Sequence, residues 1–317
     1  MRKKISIFEF LFFALLFFLF VPSVFALEIE DTEQPVRNDF VVSPGKIEVW
    51  LDPGSSTVRE FTITNRLGKD SSFQVEIEDF KGSRDIEKPV IFLGGEKGPY
   101  SLKDYLKPEA SEFSLKHGQR VRFFFEISIP KDAEPGGRYG AVIISRQDSS
   151  GEKRGGVDVS VKERIAVLIF VRVRGPVREY GLLKDFLTSK RIYTKPSIPF
   201  KIYFENNGNV HLNPYGILKV KNLLGQTIAE IEVNPFFVLP DSLKLREILW
   251  ERNFLFGYYQ AELFLNRGYQ DIVDQKRITF WVFPLKYLLV FFFLFLLLVI
   301  VFYWIINNFE IRRRKTQ

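Results

Sequence analysis

From residue 40 to residue 283 the chain alternates apolar and polar positions in short runs, the two-residue period of strands with one face in water. Lys46-Ile47-Glu48-Val49-Trp50-Leu51 alternates, breaks at Asp52-Pro53-Gly54-Ser55, and resumes over 58–65. Further runs of the same kind fill 73–78, 119–130, 139–144, 164–171, 198–205, 216–221 and 277–283. One helical interlude is expected at Ser101-Leu102-Lys103-Asp104-Tyr105-Leu106, with Ser101 as its N-cap and Pro108 as its stop. Residues 27–39 are acidic and short of large apolar side chains, and they read as a flexible leader.

The pattern repeats. In 59–65 an alternating run ends on Asn65, crosses a polar turn and returns over 73–77; in 198–205 another run meets Asn206-Asn207-Gly208-Asn209 and returns over 216–221. Asn and Gly suit turns with positive φ. Gly175-Pro176 separates the two copies. The chain therefore reads as all-β, with two tandem immunoglobulin-like β-sandwich domains at 40–175 and 176–283, a single larger β domain being the alternative.

Two stretches break the two-residue period by being apolar at all but one position each. The first, 8–21, follows Arg2-Lys3-Lys4 and precedes Pro22 and Val24-Phe25-Ala26, the layout of a secretory signal peptide over 1–26 cleaved after Ala26. An uncleaved N-terminal membrane helix is the competing reading. The second, 285–306, would span about 33 Å as a helix at ~1.5 Å per residue, enough for a ~30 Å hydrocarbon core. Its one charge, Lys286, lies where an amine can snorkel to the headgroups, and Tyr287, Tyr303 and Trp304 lie near its ends. Residues 284–307 are thus expected to form a transmembrane helix in contact with lipid. The tail 308–317 carries Arg312-Arg313-Arg314-Lys315 and belongs on the cytoplasmic side, which makes a single-pass type I protein of the cell membrane with its ectodomain outside.

Charge then changes meaning. The formal net charge is +7, of which the N-terminal segment contributes +2, Lys286 +1 and the tail +3, leaving +1 for residues 27–283. A near-neutral ectodomain argues against a nucleic-acid partner. Alternating cations such as Val171-Arg172-Val173-Arg174 read as strand residues with every second side chain in water. The chain has no cysteine, which removes thiol chemistry and leaves the fold to its core.

Candidate chemistry is sparse, and no cofactor is expected. His117 and His211 fall in different halves, each beside a turn, without a second ligand at metal spacing; both read as surface turn residues. Glu76, Glu78 and Asp79 cluster at a strand end, but Glu76 and Glu78 share the face expected to be solvated. Gly94-Gly95 and Gly136-Gly137 lack the Lys-Ser/Thr and the helix of a phosphate loop. The aromatic run 250–259 is either a turn between two core strands, the favoured reading, or an exposed platform for sugar rings.

Taken in order, the motifs form a larger pattern. The first half has Ser43-Pro44-Gly45, Pro53-Gly54 ahead of Thr64-Asn65, Ser101-Leu102-Lys103-Asp104-Tyr105, Phe113-Ser114-Leu115-Lys116-His117-Gly118 and Ile129-Pro130-Lys131-Asp132-Ala133-Glu134-Pro135-Gly136-Gly137-Arg138-Tyr139-Gly140. The second has Glu205-Asn206-Asn207-Gly208-Asn209-Val210-His211-Leu212-Asn213-Pro214-Tyr215-Gly216 and then Val238-Leu239-Pro240-Asp241-Ser242. This arrangement resembles the bacterial WxL-interacting proteins, which have a signal peptide, two immunoglobulin-like domains, a membrane helix and a basic tail. The resemblance implies a first domain associated with peptidoglycan and a second with partner or host proteins; it assigns no binding residue.

The expectation is a non-enzymatic, membrane-anchored cell-envelope protein. Its two sandwiches would bind cell-wall polymer (peptidoglycan) or other surface proteins. The rivals are a surface hydrolase acting on envelope glycans through paired carboxylates, and a scaffold subunit of a membrane complex.

Overall fold

The computed structural model describes residues 27–147, 152–154, 157–159 and 163–308. The proposed signal segment 1–26 and most of the basic tail lie outside the described residues.

The chain builds two β-sandwiches in sequence order, each with its own buried core. In the first, one sheet runs Glu28–Asp31, Gln119–Ser128, Ser56–Asn65, Phe40–Ser43, with Leu106–Pro108 also on Gln119–Ser128. The facing sheet runs Lys46–Leu51, Arg164–Val173, Gly136–Arg146, Ser71–Gly82, and both Glu112–Leu115 and Val90–Phe92 add to Ser71–Gly82. The second sandwich packs Gly181–Thr188, Ser197–Asn206 and Ser242–Glu251 against Ile192–Tyr193, Val273–Val282, Gly257–Asn266, Tyr215–Asn222 and Thr227–Val233.

Alternation carries through to burial. Along Ser197–Asn206 every second residue is buried: Ile198, Phe200, Ile202, Phe204 and Asn206. Val121, Phe123, Phe125 and Ile127 do the same in Gln119–Ser128. Rings dominate both interiors, with Phe61 against Phe123 at 5.2 Å in the first and Phe200 against Phe280 at 5.8 Å in the second.

Each sandwich carries the same chain crossing early in its sequence. Phe40–Ser43 pairs antiparallel in one sheet, the chain crosses through a cis Ser43-Pro44 bond, and Lys46–Leu51 lies parallel to the last strand, Arg164–Val173. In the second copy Gly181–Thr188 plays the first part and Ile192–Tyr193, parallel to Val273–Val282, the second. Such a strand shared between the sheets links their edges along one side of the sandwich.

Two expectations are corrected. The acidic leader does not stay free of the fold: Glu28–Asp31 pairs antiparallel with 119–122. Its charges match those of its partner strand: Glu30 meets Arg120 at 3.2 Å and Glu28 meets Arg122 at 3.3 Å. The helical interlude shrinks to a 3₁₀ turn, Lys103–Tyr105, with no side-chain cap from within; Pro108 ends a short strand instead of stopping a helix. Its N–H groups are satisfied from a neighbouring strand, because the fully buried Asp79 carboxylate accepts from Leu102 at 2.9 Å and Lys103 at 2.8 Å.

After Val282 the chain passes Phe283 and Pro284 and enters the helix Leu285–Asn308. It has a mean hydropathy of 3.2 and none of its apolar window is buried, so by length and composition it can cross a membrane.

Candidate functional site

The two Asn residues flagged by the repeat do the same work in both copies. Asn65 and Asn206 are fully buried at the ends of ten-residue strands. Asn65 donates Nδ2 to the carbonyls of Lys69 and Leu115, and its Oδ1 accepts the Leu67 N–H. Asn206 donates to Val210 and Val238 and accepts from Gly208. A short side-chain amide thus closes the corner and ties it to a second segment, with its polar atoms satisfied.

The second tie differs, and the difference builds a joint. Val238 belongs to the segment that carries Phe237 and Leu239 toward the first sandwich, where Leu239 joins Phe80, Tyr139, Ala141, Ile143 and Phe170 in a third apolar cluster. Phe170 stacks edge-on against Phe80, Tyr139 and Phe237 at 5.1–5.6 Å. The ammonium groups of Lys46 and Lys244 lie 5.7 Å and 5.1 Å from the Phe237 ring centre, and burial pushes the Lys244 amine below its usual range. Gly82 is part of the fit: a Cβ there would lie 2.6 Å from the Ser242 Cβ and 2.8 Å from that of Leu239.

His211 sits inside this joint, not on a surface turn as its sequence context suggests. It is 4% exposed. Its Nε2 donates to Glu48 Oε1 at 2.7 Å, which leaves Nδ1 facing the Tyr139 hydroxyl at 3.3 Å, while the His211 backbone N–H donates to the same hydroxyl at 2.7 Å. The hydrogen bond from His211 and the nearby Lys46 ammonium hold the Glu48 carboxyl down at about 2, against its partial burial. Burial drives the Tyr139 hydroxyl well above its usual range. Around this centre, Arg84 pairs with Glu205 at 2.7 Å, Tyr100 donates to Asp241 at 3.0 Å, and backbone bonds run from Gly137 to Asn209 and from Leu243 to Ser83. The sequence carried no mark of this set, since its members come from segments up to 163 residues apart.

The other sequence candidates stay apart. His117 Nδ1 accepts the Gly68 N–H at 3.1 Å and belongs to a turn. Glu76 and Glu78 share Arg164, at 3.2 Å and 2.6 Å, whereas Asp79 faces inward and caps the 3₁₀ turn. Among the described residues no three His, Cys, Asp or Glu side chains are grouped to hold a metal.

The outer face of the second sandwich's five-stranded sheet holds an open groove of about 550 Å³. Tyr215, Ile217, Phe264 and Val273 give it an apolar floor, and Lys219 with Glu230, paired at 2.9 Å, gives it a polar wall. Opposite Lys219 on the neighbouring strand, Glu262 is buried and pairs with Lys221 and Arg277, and the Lys221 hydrogen bond holds its carboxyl below the usual range.

The run 250–259 turns between two strands, as favoured, with Trp250, Leu255 and Tyr259 in the core. Phe254 and Phe256 nevertheless remain more than half exposed. Phe254 lies 5.4 Å from the Tyr287 ring of the C-terminal helix, and Phe256 lies 5.8 Å from Phe283.

No protein-family model matches the chain, and no curated protein matches it. Solved structures do. They include the class 5 fimbriae chaperone CfaA, with 14% identity over 78% of this chain and 100% of that one at a TM-score of 0.35. The E. coli chaperone DraB matches at 13% identity over 77% of this chain and 95% of that one, TM-score 0.31. The CsuC-CsuE chaperone–tip adhesion subunit complex of Acinetobacter baumannii matches at 11% identity over 66% and 90%, TM-score 0.35. Likeness this low carries no activity or partner across to this chain.

Proposed function

We propose that the chain is a non-enzymatic cell-envelope protein that holds two joined immunoglobulin-like sandwiches at the outer surface of the cell membrane and recognises cell-wall polymer or another surface protein. The observation that carries this reading is the direct passage from the last strand, Val273–Val282, into the apolar helix Leu285–Asn308. Two residues separate them, so the sandwiches stand on their anchor without a flexible stalk. A rigid joint above and a fixed foot below suit a presenter of binding faces better than a catalyst that must open and close around substrate.

The groove around Tyr215, Ile217 and Phe264 is the face to test first. An apolar floor beside paired charges accepts either the flat side of a sugar ring or an extended peptide. The resemblance to the WxL-interacting proteins supports peptidoglycan for the first sandwich and a protein partner for the second. The test uses full-length protein in detergent, incubated with isolated cell wall and, separately, with envelope extract. Retention on either is expected, and Ile217→Arg should abolish whichever retention the second sandwich provides. Absence of retention on both would sink the proposal.

A further inference from the structure

The end of the second sandwich nearest the helix sets exposed aromatic rings beside cations. Phe254 and Phe256 project from the turn 252–256 at 56% and 53% exposure, and Trp281, on the strand entering the helix, is 42% exposed. These rings are continuous with the helix: Phe254 meets Tyr287 of its first turn, and Trp281 stacks flat on Phe283 at 5.6 Å with 7° between planes. A cationic loop lies beside them. Lys190, Arg191 and Lys195 are exposed, and none of the three pairs with a carboxylate among the described residues.

That loop is held at the same end by the backbone. The Trp281 N–H donates to the Arg191 carbonyl at 2.8 Å, the Phe283 N–H to Tyr193 at 2.7 Å, and the Arg252 N–H to Pro196 at 3.1 Å. Two exposed arginines elsewhere, Arg122 and Arg164, each hold two carboxylates. Here the positive charge is left open to an outside partner.

We infer that this base is a lipid-docking surface, in which Phe254, Phe256 and Trp281 enter the headgroup boundary while Lys190, Arg191 and Lys195 contact anionic phospholipid. The inference rests on the membrane-anchor reading and extends it: the helix holds the protein at the bilayer, and the base sets the sandwich's tilt upon it. Aromatic rings prefer the interface between hydrocarbon and water, and basic side chains gain from an anionic surface within a Debye length. Because Phe254 packs against the helix's first turn, a helix that crosses the bilayer puts these rings at headgroup depth. The occupant is therefore a bilayer, not a soluble protein.

The test places the full chain in vesicles that contain phosphatidylglycerol and a lipid brominated just below the glycerol, and reads tryptophan emission. The chain has four tryptophans, so contributions are taken as differences between wild type and Trp281→Phe, and between wild type and Trp304→Phe. Trp281 should lose about half of its emission in anionic vesicles, and that loss should shrink at least about twofold in phosphatidylcholine alone or in Lys190→Glu/Arg191→Glu/Lys195→Glu. Quenching of Trp304 without quenching of Trp281 leaves the anchor standing and overturns the docking surface. Equal Trp281 quenching in neutral and anionic vesicles overturns it too. No quenching of Trp304 strikes the anchor reading itself, and the docking surface falls with it.

Discussion

The second sandwich ends in aromatic clusters on both sides, and the two have opposite fates. At its upper end Phe237 packs against the buried cluster of Phe80, Tyr139 and Phe170 beside His211. At its lower end Phe254, Phe256 and Trp281 stay largely in the open. The residue types are nearly the same. What differs is whether another part of the chain arrives to cover them, and how their polar neighbours are matched. Above, Glu48 holds both His211 and Lys46, and Glu205 holds both Arg84 and Lys184; below, three cations face outward without a carboxylate partner among the described residues. Aromatic content alone therefore says little about a surface until its charges are accounted for.

The sharpest way to break this contrast is to remove one ring from each end. Phe170→Ala leaves a cavity in the joint and should cost about 3 to 5 kcal/mol, whereas Phe254→Ala should change stability by less than about 0.5 kcal/mol. Thermal melting of both variants in detergent checks the pair. Comparable losses would mean that the base is as closely packed as the joint.

A wedge gives the next largest effect. Gly82→Val puts side-chain atoms where the Cβ atoms of Ser242 and Leu239 already sit, and should cost about 1 to 3 kcal/mol by forcing the sandwiches apart. Small-angle scattering should then report a longer or more variable molecule, and proteolysis should cut within 174–180 sooner than in wild type. An unchanged scattering profile would show that the joint yields without opening.

The smallest effect is in acid. Glu48 is held near 2 in the folded protein against an ordinary value of 4.5, so its contribution is fully present above that ordinary value. It fades as pH falls from 4.5 toward 2, when the carboxylate that accepts from His211 takes up a proton. Glu48→Gln lacks this dependence. Its melting temperature should fall less steeply than that of wild type over the same interval, and parallel curves would remove Glu48 from the joint's pH response.

Much of the architecture could be read from residue order. The alternating span 46–51 coincides with the strand Lys46–Leu51, and 198–205 lies inside Ser197–Asn206. The Asn-turn repeat announced two copies of one sandwich, and Asn65 and Asn206 do close equivalent corners. Glu28–Asp31 and Val90–Phe92 are too short to establish a period of their own, and pairing with longer strands holds them. The burial of His211 is illegible in the sequence for a related reason. A histidine after an Asn-Gly turn looks exposed until a second domain covers it, and Glu48 and Tyr139 are distant in sequence.

Periodicity and apolar length fixed what depends on neighbours along the chain: strands with one wet face, paired sandwiches, and a C-terminal helix long enough for a bilayer. Only the tertiary structure decided what depends on meetings across it. It turned Asp79 inward as a cap, sealed His211 against Glu48, and left Lys190, Arg191 and Lys195 unpaired beside exposed rings. A two-residue period specifies which face is buried, but the identity of whatever buries it is set by packing between segments far apart in sequence.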